Sequence, residues 1–94
     1  MQQIEREVRQ FIVDNYFFGK DEREFSDDDS FLEKGVLDSM GILTLVSFIQ
    51  QEYAIQIDDQ ELVPDNWDSV RRVAQFVHKK LNSRTNFLEI RRAG

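Results

Sequence analysis

Three stretches of this 94-residue sequence repeat apolar residues at helical spacing, and almost nothing in it alternates as a strand would. Ile4, Val8, Phe11, Ile12 and Phe18 fall on one side of a helix. Ile42, Leu45, Val46, Ile49 and Tyr53 gather within about 100° on a helical wheel, the width of a buried stripe. Val70, Val73, Ala74, Val77 and Leu81 repeat the pattern near the end of the chain. Ile55 and Ile57 alternate, in one short extended stretch. The pattern predicts an all-α fold: a small four-helix bundle, three longer helices and one short helix, with a long loop between helices 1 and 2. Its hydrophobic content of 40% is enough for one core but not two.

Local signals divide the chain further. Gly19 stands where a left-handed C-cap would close the first helix. Residues 19–38 show no clean period and read as a loop, with Phe25, Phe31 and Leu32 available to anchor it. Asp38 and Ser39 are good helix-start residues, and the second helix is expected to run to about residue 53. Asp58 with Glu61 three residues on predicts a brief third helix that Pro64 ends, with Trp67 entering the core from the loop that follows. The last helix begins at Asp68 or Ser69. Residues 83–94 hold Phe87, Leu88 and Ile90 but no strong cap, so residues 1–82 are expected to form the domain and 83–94 an extension or tail.

Composition removes most enzyme classes. There is no cysteine, hence no disulfide framework, thiolate nucleophile or Cys zinc site, and one histidine leaves little for His metal sites or triads. Residues 1–68 hold 5 Lys/Arg against 17 Asp/Glu, a net −12, while residues 69–94 hold 7 against 1, a net +6. An acidic body with a basic end argues against nucleic acid, which needs clustered cations over a broad surface, and favours basic protein partners. Residues 1–15 have no continuous apolar run beyond 11–13, and no segment approaches a membrane span, so a cytoplasmic monomer without membrane insertion is expected.

Three features invite a chemical reading. His78, late in the last helix beside Lys79 and Lys80, shows no partner for catalysis and reads as solvated or as a cation serving the helix C-terminus. Asp27, Asp28 and Asp29 suggest calcium, but an EF-hand loop begun at Asp27 would put Phe31, Leu32 and Asp38 where it needs an acid or amide, glycine and glutamate. A solvated acidic loop is the better account. Ser39 is the serious candidate. Serine at a helix start is ordinarily a cap, and Asp68-Ser69 repeats the same dipeptide before another helix. Ser39, however, follows a long loop and has Met40 and Leu43 beside it on the face opposite the apolar stripe. Gly41 lies two residues on, where glycine costs about 1 kcal/mol relative to alanine and implies a close approach. A phosphate on Ser39 would face the free N–H groups and positive dipole end of the helix. With no base beside it, Ser39 reads as an acceptor modified by another enzyme, not as a nucleophile acting alone.

The run Gly35-Val36-Leu37-Asp38-Ser39-Met40-Gly41 resembles the attachment motif of the acyl carrier protein family, whose Asp-Ser-Leu signature reads here Asp38-Ser39-Met40. The likeness spans roughly residues 3–82 in its order of elements, and Phe31-Leu32-Glu33 and Glu52-Tyr53 fit it as well. The resemblance implies that Ser39 receives 4′-phosphopantetheine from coenzyme A through a separate phosphopantetheinyl transferase. The arm's thiol would then hold acyl or aminoacyl groups as thioesters for a loading enzyme and a downstream acyltransferase, in pathways such as fatty acid, polyketide or nonribosomal peptide biosynthesis. Asp38, Met40, Gly41 and Leu43 would form the surface those partners read. The strongly acidic second helix usual in fatty-acid-synthesis carriers is missing: between Asp38 and Glu52 the positions expected to be exposed hold Gly41, Thr44, Ser47, Gln50 and Gln51. The Gly35-Val36-Leu37-Asp38-Ser39-Met40-Gly41 run and Asp65-Asn66-Trp67-Asp68-Ser69 look more like stand-alone D-alanyl and peptidyl carriers.

Two other classes compete. An unmodified helical adaptor binding a partner through Met40 and Leu43 would keep its binding in Ser39→Ala. A helix-turn-helix DNA binder is disfavoured, because residues 39–53 carry no Lys or Arg to enter a groove.

Overall fold

The computed structural model describes residues 2–16 and 25–93, with side chains through residue 82. Four α-helices follow one another: α1 Gln2–Tyr16, α2 Ser39–Tyr53, α3 Pro64–Trp67 and α4 Val70–Ala93, with a 3-10 turn Asp59–Glu61 before α3. No strand occurs among the described residues. The all-α expectation and its long loop between the first two helices are met. Phe18 and Gly19 lie outside the described residues, as do the side chains of Phe87, Leu88 and Ile90.

The apolar stripes meet in one core. Ile4, Val8 and Ile12 of α1, Leu45, Val46 and Ile49 of α2, and Val70, Val73, Ala74 and Val77 of α4 are buried together. Each buried Ile, Leu or Val contributes roughly 1.5–3 kcal/mol over leaving it in water. Phe11, Ile42, Tyr53 and Leu81 sit at the core's edge, half-buried. Helix α1 packs along α4, and α3 packs against the start of α4. Phe11 of α1 stacks on Phe48 of α2 with ring centroids 4.2 Å apart.

Three loop expectations change. Phe25 and Phe31 are buried as anchors, but Leu32 is 49% exposed. Val36 N–H bonds the Phe31 carbonyl (2.9 Å) and Gly35 takes φ +67°, a tight left-handed turn that carries Leu32 out of the core and that a side chain at 35 would strain. Pro64 begins a helix instead of ending one: its missing N–H lies at the first turn of α3, where no intrahelical partner exists. Trp67 is buried as expected but belongs to α3, not to a loop.

The acidic loop is ion-paired where simple solvation was expected. Asp27 pairs with Arg9 of α1 at 2.9 Å, and Asp28 pairs with Arg71 of α4. The Asp29 carboxylate accepts from the Ser26 N–H at 2.9 Å. The loop is thereby stapled to α1 and α4, and Asp28 raises the affinity of the Arg71 guanidinium for its proton. His78 is exposed and 3.2 Å from the Asn82 amide, but the C-terminal dipole role fails because α4 continues to Ala93.

Candidate functional site

The two Asp-Ser dipeptides fold differently. At the start of α2, Asp38 is the cap: its Oδ1 accepts from the Gly41 N–H at 2.8 Å, on an extended backbone with φ −98°. Ser39 is therefore relieved of capping. It is exposed, and its Oγ makes no hydrogen bond among the described residues. At the start of α4 the serine caps instead: Ser69 is 2% exposed and its Oγ accepts from the Arg72 N–H at 3.1 Å. One dipeptide thus leaves its serine exposed, and the other locks its hydroxyl inside the fold.

Gly41 is buried, which removes it from the surface where Asp38, Met40 and Leu43 lie. The close approach that glycine permits is internal: a Cβ there would meet Leu37 Cδ2 at 3.1 Å. Leu37 is itself 3% exposed, so Gly41 seats the residue just before the motif's aspartate. Met40 and Leu43 are exposed as expected, at 72 and 51%.

Beside Ser39 runs an apolar groove of about 280 Å³, walled by Ile42 and Leu43 of α2, Leu32 of the loop, and Leu62, Val63 and Trp67 around α3. Trp67 is buried where it lines the groove, and it donates Nε1–H to the Glu61 carbonyl at 2.9 Å. Glu61 is fixed in turn. Its Oε1 accepts from the Asp58 N–H and from Lys80 Nζ, each at 2.9 Å, and these contacts, the backbone one first, hold its carboxyl below the usual range. Asp68 also lines the groove. Its Oδ1 accepts from the Leu32 N–H at 3.1 Å, its Oδ2 from the Ser30 hydroxyl, and its carbonyl from the Phe31 N–H at 3.0 Å. Sequence reasoning missed Asp68 as a latch and Val63 as a wall. The repeated Asp-Ser dipeptide drew attention to Ser69 alone, and Val63 lies outside any periodic stripe.

Comparison with known families shows which family the chain belongs to. The family described as "Phosphopantetheine attachment site" matches residues 17–77, well over half of the chain. The chain belongs to the phosphopantetheine-binding carrier protein family. This carrier is similar to the D-alanyl carrier protein of Streptococcus pyogenes serotype M5, with 32% identity over 62 residues that cover 66% of this chain and 77% of the relative. It is 29% identical over 72 residues to that of Streptococcus gordonii, covering 77% of this chain and 89% of the relative. The solution NMR structure of a holo acyl carrier protein from Nitrosomonas europaea shares the fold at a TM-score of 0.69 and 24% identity, covering 87% of this chain and 99% of that one.

As a carrier, the protein bears a 4′-phosphopantetheine prosthetic group and is a substrate of other enzymes, not itself a catalyst. The residues present fit that group. The exposed hydroxyl stands at the N-terminus of a 15-residue helix, whose first-turn N–H groups and dipole favour a phosphodiester, and the apolar groove lies beside it. When bound, the group supplies the thiol that the polypeptide lacks. No helix among the described residues is long and apolar enough to cross a membrane.

Proposed function

We propose that Ser39 is the residue that carries the arm, that residues 1–82 form the carrier unit with 83–94 as an extension, and that the cargo is a small acyl or aminoacyl group. The observation that carries the assignment is the division of labour at α2: Asp38 caps the helix, and Ser39 Oγ is left exposed beside the groove. Support for a small cargo comes from two sides. The similar proteins of Streptococcus are D-alanyl carriers. The exposed face of α2 holds no charge from Ser39 to Gln51, unlike the acidic face suited to strongly basic partners.

The protein's own residues then have distinct tasks. Asp38 holds the helix start and keeps Ser39 turned outward. Met40 and Leu43 mark the site for the phosphopantetheinyl transferase, the loading enzyme and the acyltransferase that takes the cargo on. Gly41 acts beneath them by seating Leu37. The cytoplasm is where coenzyme A and such partners would meet it.

Loading tests the reading. With coenzyme A and a broad-specificity transferase, wild type should gain one phosphopantetheine, and Ser39→Ala none. Equal gain by both sinks it. The cargo is tested separately by NMR. Of the aliphatic residues Ile42, Val46 and Val73 on the helices, Ile42 lines the groove and the other two do not. An apolar chain should therefore shift Ile42, Leu62 and Val63 and leave Val46 and Val73 still, whereas a small amino acid should shift none of these five.

A further inference from the structure

Several acids of this fold are matched by cations: Asp27 by Arg9, Asp28 and Glu5 by Arg71, Asp65 by Arg72, and Glu61 by Lys80. Glu7, Asp14 and Glu52 have no cation within ion-pair distance among the described residues. These three meet at one hollow of about 290 Å³, which Phe11 of α1 and Phe48 of α2 also line. The two rings are half-buried and stack 4.2 Å apart. Gln10 and Asn15 complete the lining, and no Lys or Arg enters it. The hollow shares no residue with the groove beside Ser39. A partly exposed aromatic pair rimmed by unmatched carboxylates suits an occupant that is apolar and basic at once.

That composition stands at the end of α4. The helix has 24 residues, about 36 Å at 1.5 Å per residue, against 15 residues in α1 and in α2. Leu81 is the last described side chain packed against the core. The spacing of three and four that sets Val70, Val73, Val77 and Leu81 in the core nevertheless continues in sequence through Arg84, Leu88 and Arg91. Phe87 adjoins Leu88 and Arg92 adjoins Arg91, and Glu89 is the one acid from residue 83 onward. Residues 70–93 contain no glycine or proline and α4 runs unbroken through them, so this end cannot turn back onto α1 and α2 of its own chain. An anionic lipid surface would attract the arginines but repel residues 1–68, whose 5 Lys/Arg against 17 Asp/Glu give −12. A second copy of this chain offers both an apolar surface and the complementary charge.

We propose that the carrier self-associates through these two surfaces: the end of α4 in one copy, residues 84–92, docks on the Phe11/Phe48 face of another. Phe87 and Leu88 supply the apolar contact with the rings, and the arginines answer Glu7, Asp14 and Glu52. Self-association takes the place of the monomer expected from sequence, and it does not depend on which serine carries the arm.

Sedimentation equilibrium of the full chain tests this. The mass should rise from the 11.2 kDa of one chain toward twice that value between about 10 μM and 1 mM, as a small contact would give. Raising sodium chloride from about 50 to 500 mM should weaken association severalfold, because opposite charges at a surface are screened. Arg84→Glu with Arg91→Glu should abolish association, and so should Asp14→Arg with Glu52→Arg, which alters two exposed positions. Mixing the two double variants should restore it, since each then meets the reversed charge on the other. Phe87→Ser with Leu88→Ser should also abolish it, and circular dichroism confirms that every variant is folded. A chain that stays at 11.2 kDa up to about 1 mM overturns the proposal, as does association that survives either reversal or that mixing fails to restore. A chain that remains monomeric and instead sediments with vesicles of anionic phospholipid overturns it too.

Discussion

Exchanging the two helix-start serines for alanine, one at a time, should separate stability from loading completely. Ser69 Oγ accepts the Arg72 N–H at 3.1 Å inside a site 2% exposed, so Ser69→Ala removes an acceptor that water cannot readily replace. Loss of such a cap costs about 1 kcal/mol, within a range of roughly 0.5–2. For a domain of this size that lowers Tm by about 4–8 °C. Ser39 Oγ is exposed and bonds nothing among the described residues, and Asp38 supplies the cap of α2 at 2.8 Å, so Ser39→Ala should stay within about 0.5 kcal/mol of wild type. Urea unfolding followed by far-ultraviolet circular dichroism measures both. Loading should then invert the ranking, with Ser69→Ala modified as wild type is and Ser39→Ala not at all. A Ser39→Ala protein destabilised by about 1 kcal/mol, or a Ser69→Ala protein as stable as wild type, would refute the assignment of the caps.

Three further outcomes follow from the same geometry. Gly41→Ala gains about 1 kcal/mol of helix propensity but places a Cβ 3.1 Å from Leu37 Cδ2 in a buried site, where overpacking costs about 1–3 kcal/mol, so urea unfolding should show net destabilisation. Asp68→Ala removes the acceptor of the Leu32 N–H and the Ser30 hydroxyl; it should cost about 1–3 kcal/mol and speed hydrogen exchange at Leu32, and unchanged exchange there would contradict the latch. Glu61, held below the usual range by the Asp58 N–H first and Lys80 after it, stabilises the fold above the ordinary glutamate pKa and loses that contribution as pH falls through its own lowered value. The stability gap between wild type and Glu61→Gln should therefore be full near neutrality and close in acid, and a gap constant across that window would count against the pairing.

The helices were readable because apolar spacing is a local record of burial: Ile4, Val8 and Ile12, or Val73, Ala74 and Val77, are where the core is. Ser39 was readable for another reason, its place after a long loop with Met40 and Leu43 on the open side of the wheel. What the sequence hid was decided at a distance. Leu32 and Phe31 are neighbours, and nothing local says that the turn at Gly35 buries one and exposes the other. Pro64 can end a helix or begin one, and the packing of Trp67 beside the groove selects the second. Asp27 and Asp28 look solvated until folding brings Arg9 and Arg71, 18 and 43 residues away, against them. Asp68 resembles a helix cap in sequence, yet its carboxylate reaches back 36–38 residues to the loop and shapes the wall of the site.

The central claim, that Ser39 alone accepts the arm, is tested most directly by locating the adduct. The chain has six serines, at 26, 30, 39, 47, 69 and 83. Protein loaded with coenzyme A and a broad-specificity transferase is digested, and its peptides are fragmented in a mass spectrometer. The account predicts one phosphopantetheine per chain, on Ser39, with the other five serines unmodified. An adduct on any of those five, or a wild-type chain that stays unmodified, would contradict it.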